Sequence, residues 1–420
     1  MKKIAVVLLS TVVCATLASA QKFQNTFELP KDTSAFKGQP EVSFNTDLTF
    51  NYQGLSQTFD IPGSTKEINL QPGLSLPQAN FDINAKVMSG FNVKLETMLS
   101  SHHHNETYVK GGYATIDNLD FIAPGFASEI MKYMTIKVGV NDINFGDDHF
   151  RRSDNADVMR NPFVHNTGVE SYMQAPHIEV YYRLPSINSL VMVGITNGQV
   201  NPDDVTEVAS KTGVNGSSNR PGLYAKFAYD SQLTEALRVR LSESVYHVQG
   251  TNKGSSLYSG DKAGTVTRKI FELSDVDNDF GSLWNAMSGF SDLNVYKTNL
   301  FARYNDTEFY AMYEFADGEN GKGVDMEMAH YSLELVQRFG ANDKFYAAGR
   351  YENAIVKHAD ATNDLGDAEM TQWQLGLGWF LSKNAVAKLE YIDHEREKNS
   401  AFVGGNAEFK GYMISTALSF

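Results

Sequence analysis

The last ten residues, "GYMISTALSF", alternate strictly in polarity and end on an aromatic side chain. A period of two is typical of a β-strand whose two faces meet different environments. Because the termini of soluble domains are usually polar and frayed, we expect this strand to be held in a sheet to its last residue. The outward positions Tyr412, Ile414, Leu418 and Phe420 then form the closing strand of a barrel, with their apolar face toward a core or toward lipid.

The first twenty residues have the features of a secretory signal peptide. Two lysines precede an apolar run, and small residues at 18–20 provide a cleavage site, so 1–20 is predicted to be removed on export. The chain has one cysteine, Cys14, and it lies within this segment. The exported protein is therefore expected to have no thiol, which excludes disulfides and thiolate metal sites.

Composition narrows the fold class of the remaining chain. After residue 20 there is no run of about 18 apolar residues, so we expect no helical membrane span. Twenty tyrosines and 26 phenylalanines favour strands, and a net charge of -14 argues against a nucleic-acid partner. No linker or repeat divides the chain, so we predict a periplasmic segment over 21–40 and one domain over 41–420.

Alternation recurs along the chain and predicts sixteen strands. They lie near 41–53, 80–87, 91–99, 107–116, 133–141, 177–184, 189–197, 222–229, 236–248, 296–304, 307–315, 329–339, 344–352, 371–381, 385–392 and 410–420. Short turns alternate with long loops between them, which is typical of an all-β, up-and-down antiparallel transmembrane barrel with short periplasmic turns and long extracellular loops. The stretch 117–132 is the exception, being long where a short turn is expected.

Barrel closure is required because lipid cannot hydrogen-bond to a free strand edge. Trp373 and Trp379 share the lipid parity of one strand about 20 Å apart, the spacing of two interfacial aromatic girdles. A secreted β-sandwich is the alternative, since its strands also alternate. Glu243 and Asp142 fall on the lipid parity, so we expect their strands to end or bulge there.

The chain resembles the sixteen-stranded phosphate-selective (O and P type) outer-membrane porins. The stretches that carry the resemblance are "FNVKLETMLS", "ETYVKGGYATID", "MTIKVGVNDINFGDDHF", "QLGLGWFLSKNAVAKLEYI" and the terminal "GYMISTALSF". The resemblance implies a homotrimer in outer-membrane lipid and lipopolysaccharide, inserted by the barrel-assembly machinery. It also implies that the third long loop, 142–176, folds inward as a constriction. Passive diffusion needs no cofactor, so we expect none.

Strand parity predicts a net basic lumen, with thirteen cations against eight anions. The wall positions that we expect to face the solute are Lys94, Lys110, Lys137, Arg183, Lys226, Arg238, Arg240, Arg303, Arg338 and Arg350. Lumenal cations favour anions. Alternatively, these charges pair across strands and only keep the pore wet.

The candidate constriction loop has the densest set of charged residues, and its proposed filter residues are His149, Arg151, Arg152, Asp154 and Arg160. Arginine forks bind phosphate or carboxylate with two hydrogen bonds. The same arginines could instead pair with Asp147, Asp148 and Asp154 and hold the loop against the wall.

Passive diffusion of small hydrophilic solutes, with a preference for anions such as phosphate or small organic acids, is the function that these patterns favour. A non-transporting assembly or adhesion barrel, a barrel hydrolase and a carrier for hydrophobic compounds are the alternatives. His102 to His104 could share a metal ion, and the acidic loops could bind calcium. Solvated loop charge is the simpler interpretation of both, and no metal site is predicted.

Overall fold

The computed structural model describes residues 26–28, 30–61, 64–69, 71–74, 78–100, 106–153, 157–197, 221–249, 257–258, 264–266, 283–284, 287, 290–320, 324–359, 364–398 and 406–420. The predicted signal peptide, Asp154, His102 to His104 and most of the acidic loops lie outside these residues.

The structure is built almost wholly of antiparallel strands. The strands are β1 (Glu41–Ile61), β2 (Ser64–Asn69), β3 (Gly73–Leu74), β4 (Gln78–Met88), β5 (Phe91–Ser100), β6 (Glu106–Ile116), β7 (Met134–Asp142), β8 (Gln174–Leu184), β9 (Ser189–Thr196), β10 (Gly222–Gln232), β11 (Leu237–Val248), β12 (Phe290–Tyr304), β13 (Thr307–Asn320), β14 (Asp325–Phe339), β15 (Phe345–Ala359), β16 (Asp364–Ser382), β17 (Ala385–Lys398) and β18 (Ala407–Ser419).

The sheet closes on itself. β1 pairs with β4 on one side and with β18 on the other, and each later strand pairs with the next. The short strands β2 and β3 pair only with the second half of β1, past the residues that pair with β4, so the barrel has sixteen strands and the predicted fold class is confirmed. At the seam, the Phe420 amide donates to the Thr46 carbonyl at 2.9 Å, and the Thr46 amide donates back at 2.7 Å.

One end of the barrel, here called the turn end, carries the short connections and the carboxyl terminus. Asn305 and Asp306 join β12 to β13, and 383–384 joins β16 to β17. The exceptional connection 117–133 contains the short helix α1 (Ser128–Met131). In the part of the chain that the structure describes, no helix is long and apolar enough to cross a membrane.

The outer surface carries two aromatic girdles. The rings of Tyr351 and Trp373 lie 4.4 Å apart on one, and those of Phe345 and Trp379 lie 6.2 Å apart on the other. Exposed leucines, Leu375 among them, cover the wall between the girdles. Amphipathic rings at both edges of an apolar band match the two interfaces of a bilayer.

The two positions that broke the lipid parity have local explanations. β7 ends at Asp142, whose carboxylate accepts hydrogen bonds from Tyr172 Oη at 2.6 Å and Gln174 Nε2 at 3.1 Å. The expectation was wrong for Glu243, because β11 continues through it without a shift in register; its side chain faces outward and accepts a hydrogen bond from Thr298 Oγ1 at 2.6 Å. A neighbouring hydroxyl therefore offsets part of the cost of that outward carboxylate.

The seam predicts an assembly phenotype. The Phe420 side chain is 70% exposed on the outer face, so Phe420→Asp places a charge on the lipid side of the closing strand, where it is destabilising. We expect a several-fold loss of heat-modifiable, membrane-inserted barrel on gels, with Ser419→Ala as the neutral neighbour. Normal amounts of inserted Phe420→Asp protein would contradict this role.

Candidate functional site

The third long loop lies inside the barrel. This segment, residues 143–153 and 157–173 and here called the inner loop, contains two short 3-10 helices, Asp148–Arg151 and Asp157–Met159. Lys388 of β17 donates to the carbonyl oxygens of Asn161 at 2.7 Å and Phe163 at 3.1 Å. The inner loop therefore obtains from the wall the hydrogen-bond partners that its irregular backbone needs.

Wall carboxylates secure the other side of the inner loop. Glu390 accepts a hydrogen bond from the backbone amide of His165 at 2.8 Å, and its second oxygen contacts His165 Nδ1 at 3.0 Å. Glu352 accepts from the amide of Gly168 at 2.7 Å. Buried carboxylates are tolerated when their lone pairs are used in this way.

Asp147 is the main charged anchor of the inner loop. Its carboxylate lies 2.6 Å from Lys226 Nζ and 2.8 Å from Arg240 Nε, and Ser242 Oγ donates to it at 2.8 Å. Burial alone would raise the pKa of Asp147, but Lys226 and Arg240 outweigh it and hold the pKa far below its usual range. Asp147 therefore stays ionised within the lumen.

Gly146 lets the chain turn beside that anchor. Its φ is +67°, and a Cβ there would lie 2.7 Å from Cδ of Lys297. Only glycine adopts this conformation without cost. The freed space lets Lys297 pair with Asp148 and, at 2.9 Å, with Glu314.

A polar cavity lies between the inner loop and the wall formed by β13, β14 and β15. It has about 30 Å³ of room for the centres of water molecules, space for about two waters. Arg151 pairs with Glu334, which Arg350 Nη2 also contacts at 2.8 Å, while Arg152 Nε lies 2.5 Å from Glu170. Three guanidinium groups and the acids Asp148, Glu170 and Glu334 thus face one small space.

The predicted filter residues divide into three groups. His149, Arg151 and Arg152 line the cavity; Arg160 is half-buried and is not among the lining residues; Asp154 is outside the described residues. Of the three aspartates in the alternative pairing, Asp147 and Asp148 pair with wall cations, and Asp154 is the one that the structure does not describe. The arginines pair with Glu334 and Glu170, which the sequence did not associate with them.

Most predicted wall cations have acidic neighbours. Lys94 pairs with Asp82 and Glu96, Lys137 with Glu179, Lys226 and Arg240 with Asp147 and Glu28, Arg238 with Asp230, Arg303 with Asp343 and Glu308, Arg338 with Glu308, and Arg350 with Glu334. Arg183 donates to Thr135 Oγ1, and Lys110 is buried. The lumen is therefore much closer to charge balance than the strand count indicated.

Part of the segment that we expected to be periplasmic lies inside the lumen. Near the turn end, Lys31 Nζ donates to the carbonyl of Met131 at 2.6 Å, and Asp32 pairs with Lys86 at 2.9 Å. Farther in, Phe27 and Glu28 contact wall residues. No alternation or motif in the sequence marks this insertion.

Among the residues that the structure describes, apolar side chains cluster in the lumen toward the end opposite the turn end. Leu257, Tyr258, Trp284 and Met287, from the long connection between β11 and β12, pack into one cluster with inward-facing residues of β11 to β16. The Trp284 amide donates to the Gly168 carbonyl at 2.9 Å. This apolar cap was not predicted, because its loop residues have no strand parity that would place them in the lumen.

One acidic group in the part of the chain that the structure describes could hold a metal ion. The carboxylates of Asp393, Glu395 and Glu408 lie within 4.8 Å of one another near the ends of β17 and β18. Lys410 Nζ lies 2.5 Å from Glu408 and supplies part of the charge that a cation would provide. Exposed carboxylates are common without a metal, so the group is not assigned as one.

No protein-family model matches the chain, and no curated protein matches it. Among solved structures, the outer-membrane channel DcaP of Acinetobacter baumannii superposes with a TM-score of 0.52 at 12% identity, over 92% of this chain and 99% of that one. OmpT, an outer-membrane protein of Vibrio cholerae, gives 0.50 at 13% identity over 92% and 100%. These similarities show the fold, and the resemblance to phosphate-selective porins stays a prediction.

The Asp147 anchor can be tested by limited proteolysis. Asp147→Asn leaves Lys226 and Arg240 with excess buried charge, which costs about 3–5 kcal/mol when a buried pair loses one partner. We expect faster protease cleavage within the inner loop of the purified barrel. Glu41→Gln, which breaks an exposed pair with Lys37, should change little, and equal resistance of both variants would contradict the anchor.

His149 predicts a pH response. Burial and nearby Lys226 lower its pKa to about 4, although the carboxylates of Asp142 and Asp147 act to raise it. The ring is neutral at pH 7, and its protonation near pH 4 adds positive charge beside the cavity, so chloride preference should rise there. Because the folded pKa lies below the unfolded value, docking of the inner loop also weakens as pH falls from about 6.5 to 4.

The measurement is the reversal potential of the reconstituted protein at pH 7, 5 and 3.5, with His149→Asn as the comparison. The wild type should gain chloride preference at the lowest pH, and the variant should gain less. An identical dependence of reversal potential on pH in both proteins would show that His149 does not cause the response.

Proposed function

We propose that the protein is an outer-membrane porin that forms a water-filled channel for small hydrophilic solutes. The observation that carries the proposal is the polar cavity between the inner loop and the wall, because it places three arginines and three acids around a space large enough for water within a closed barrel. Charges around a narrow aqueous passage act on a solute with less screening than charges on a wide wall. DcaP, one of the proteins with a similar barrel, is an outer-membrane channel, which supports the proposal.

A modest preference for anions is part of the proposal. The cavity-lining charges balance, with Arg151, Arg152 and Arg350 against Asp148, Glu170 and Glu334. Guanidinium groups carry several donors each and are matched to carboxylate and phosphate oxygens. Selectivity would then come from donor geometry rather than from an uncompensated ring of cations.

The proposal includes the membrane in which the protein resides and its partners. The two aromatic girdles support residence in outer-membrane lipid and lipopolysaccharide, with export by the signal peptide and insertion by the barrel-assembly machinery. A homotrimer is proposed from the resemblance to trimeric porins. We propose that the protein is not an enzyme and acts by passive diffusion.

A non-transporting barrel is the second candidate, and the filled lumen favours it. The lumen holds the inner loop, residues 27–28 and the apolar cap. A porin must conduct through or around these segments, whereas an assembly or adhesion barrel need not conduct.

Channel recordings in planar bilayers test the function. We expect stepwise conductance with a chloride-favouring reversal potential, which should fall several-fold in permeability ratio when Arg151 and Arg152 are both replaced by Ala. Arg350 was predicted to be a wall position, but it shares Glu334 with Arg151 and is unsuitable as a control. Arg303→Ala, at the turn end and paired with Asp343, is the matched control.

A non-conducting protein would favour the second candidate. Unchanged selectivity in the folded double variant would show that those arginines only hold the inner loop in place.

A further inference from the structure

Lys226 and Arg240 of the wall bind a carboxylate supplied by the amino-terminal segment. Glu28 Oε1 lies 3.0 Å from Lys226 Nζ, and Arg240 Nη2 reaches both Glu28 oxygens at 2.9 Å. Asn144 Nδ2 donates to the same carboxylate at 3.4 Å. Burial alone would raise the pKa of Glu28, but the two cations outweigh it and lower the pKa to about 2.

The neighbouring residue places an aromatic ring in a notch beside this carboxylate. The ring of Phe27 meets those of Phe150 at 5.8 Å and Phe301 at 5.5 Å, both edge-to-face. The guanidinium of Arg240 lies 4.2 Å from the same ring, so one arginine contacts both the ring and the carboxylate. Phe27 is 5% exposed, which shows that the notch encloses the ring.

The charge balance around Lys226 and Arg240 depends on the inserted amino-terminal segment. Lys226 and Arg240 face Asp147 of the inner loop and Glu28, and Arg240 also lies 3.6 Å from Asp230, whose charge Arg238 balances at 2.7 Å. Asp147 belongs to the loop that the wall holds from several sides, whereas Glu28 belongs to a segment that enters from the turn end. Without Glu28 the group has one net positive charge beside an empty aromatic notch.

We propose that Lys226, Arg240 and the notch of Phe150 and Phe301 form a lumenal binding site for small aromatic carboxylates. Phe27 and Glu28 occupy this site as a tethered competitor. The inference rests on the proposed channel function, through which a solute reaches the lumen. The ring of an arylalkanoate fits the notch of Phe150 and Phe301, and its carboxylate replaces that of Glu28 on Lys226 and Arg240. Binding of such a solute and insertion of the segment are mutually exclusive.

The test is calorimetric titration of the purified, folded protein with 3-phenylpropionate. The double variant Phe27→Ala/Glu28→Ala vacates the site without changing any wall residue, and we expect it to bind at least tenfold more tightly than the wild type. Lys37→Ala, on an exposed part of the same segment, should behave as the wild type. Adding Arg240→Ala to the double variant should abolish the gain.

Two further probes define the chemistry. Hexanoate lacks the ring and 3-phenylpropionamide lacks the charge, so each should bind the double variant at least tenfold more weakly than 3-phenylpropionate. No gain in the double variant, or equal binding of all three compounds, would overturn the proposal. If the double variant does not assemble, Glu28→Ala alone should bind propionate where the wild type does not, and failure of that binding would overturn it equally.

Conductance recorded on the same preparations separates the two proposals. Binding without conductance would leave the site in place and contradict the channel. Conductance without binding would contradict the site alone.

Discussion

The ion pairs between the inner loop and the wall are the interaction on which the interior of this barrel depends. The inner loop is joined to wall strands that are distant from it in the sequence. Asp147 pairs with Lys226 and Arg240, and Arg151 pairs with Glu334. Each group is buried, and removing one partner leaves an uncompensated charge in a confined space. The loop therefore has few alternatives to its docked position, and the cavity takes its shape from these pairs.

Closure of the wall follows from a different constraint. A strand edge in lipid cannot find hydrogen-bond partners, so the first and last strands must meet. The reciprocal backbone bonds between Thr46 and Phe420 satisfy that need at the seam. The barrel thus fixes the positions of the inward side chains, and these in turn fix the inner loop.

The strands of the barrel wall could be predicted from the sequence, because the wall side chains follow a period of two and the connections between strands alternate in length. It predicted sixteen strands and placed Lys226 and Arg240 on the lumenal parity. It could not show which charges meet, since Arg151 and Glu334 are 183 residues apart and their pairing depends on the path of the loop. Glu308 shares the parity of Tyr310 and Glu314, so this lumenal acid could have been found. Insertion of Phe27 and Glu28 has no periodic signal and follows only from three-dimensional complementarity.

Thiol cross-linking tests the docked inner loop most directly, because the exported chain is expected to contain no native cysteine. Arg151→Cys combined with Glu334→Cys should be joined by a short bifunctional thiol reagent in intact outer membranes, giving a shifted band on denaturing gels. Arg151→Cys with Lys94→Cys, where Lys94 pairs with Asp82 and Glu96, should not be joined. Efficient cross-linking of the first pair alone is the predicted result. Absence of that cross-link in folded, reactive protein would contradict the account.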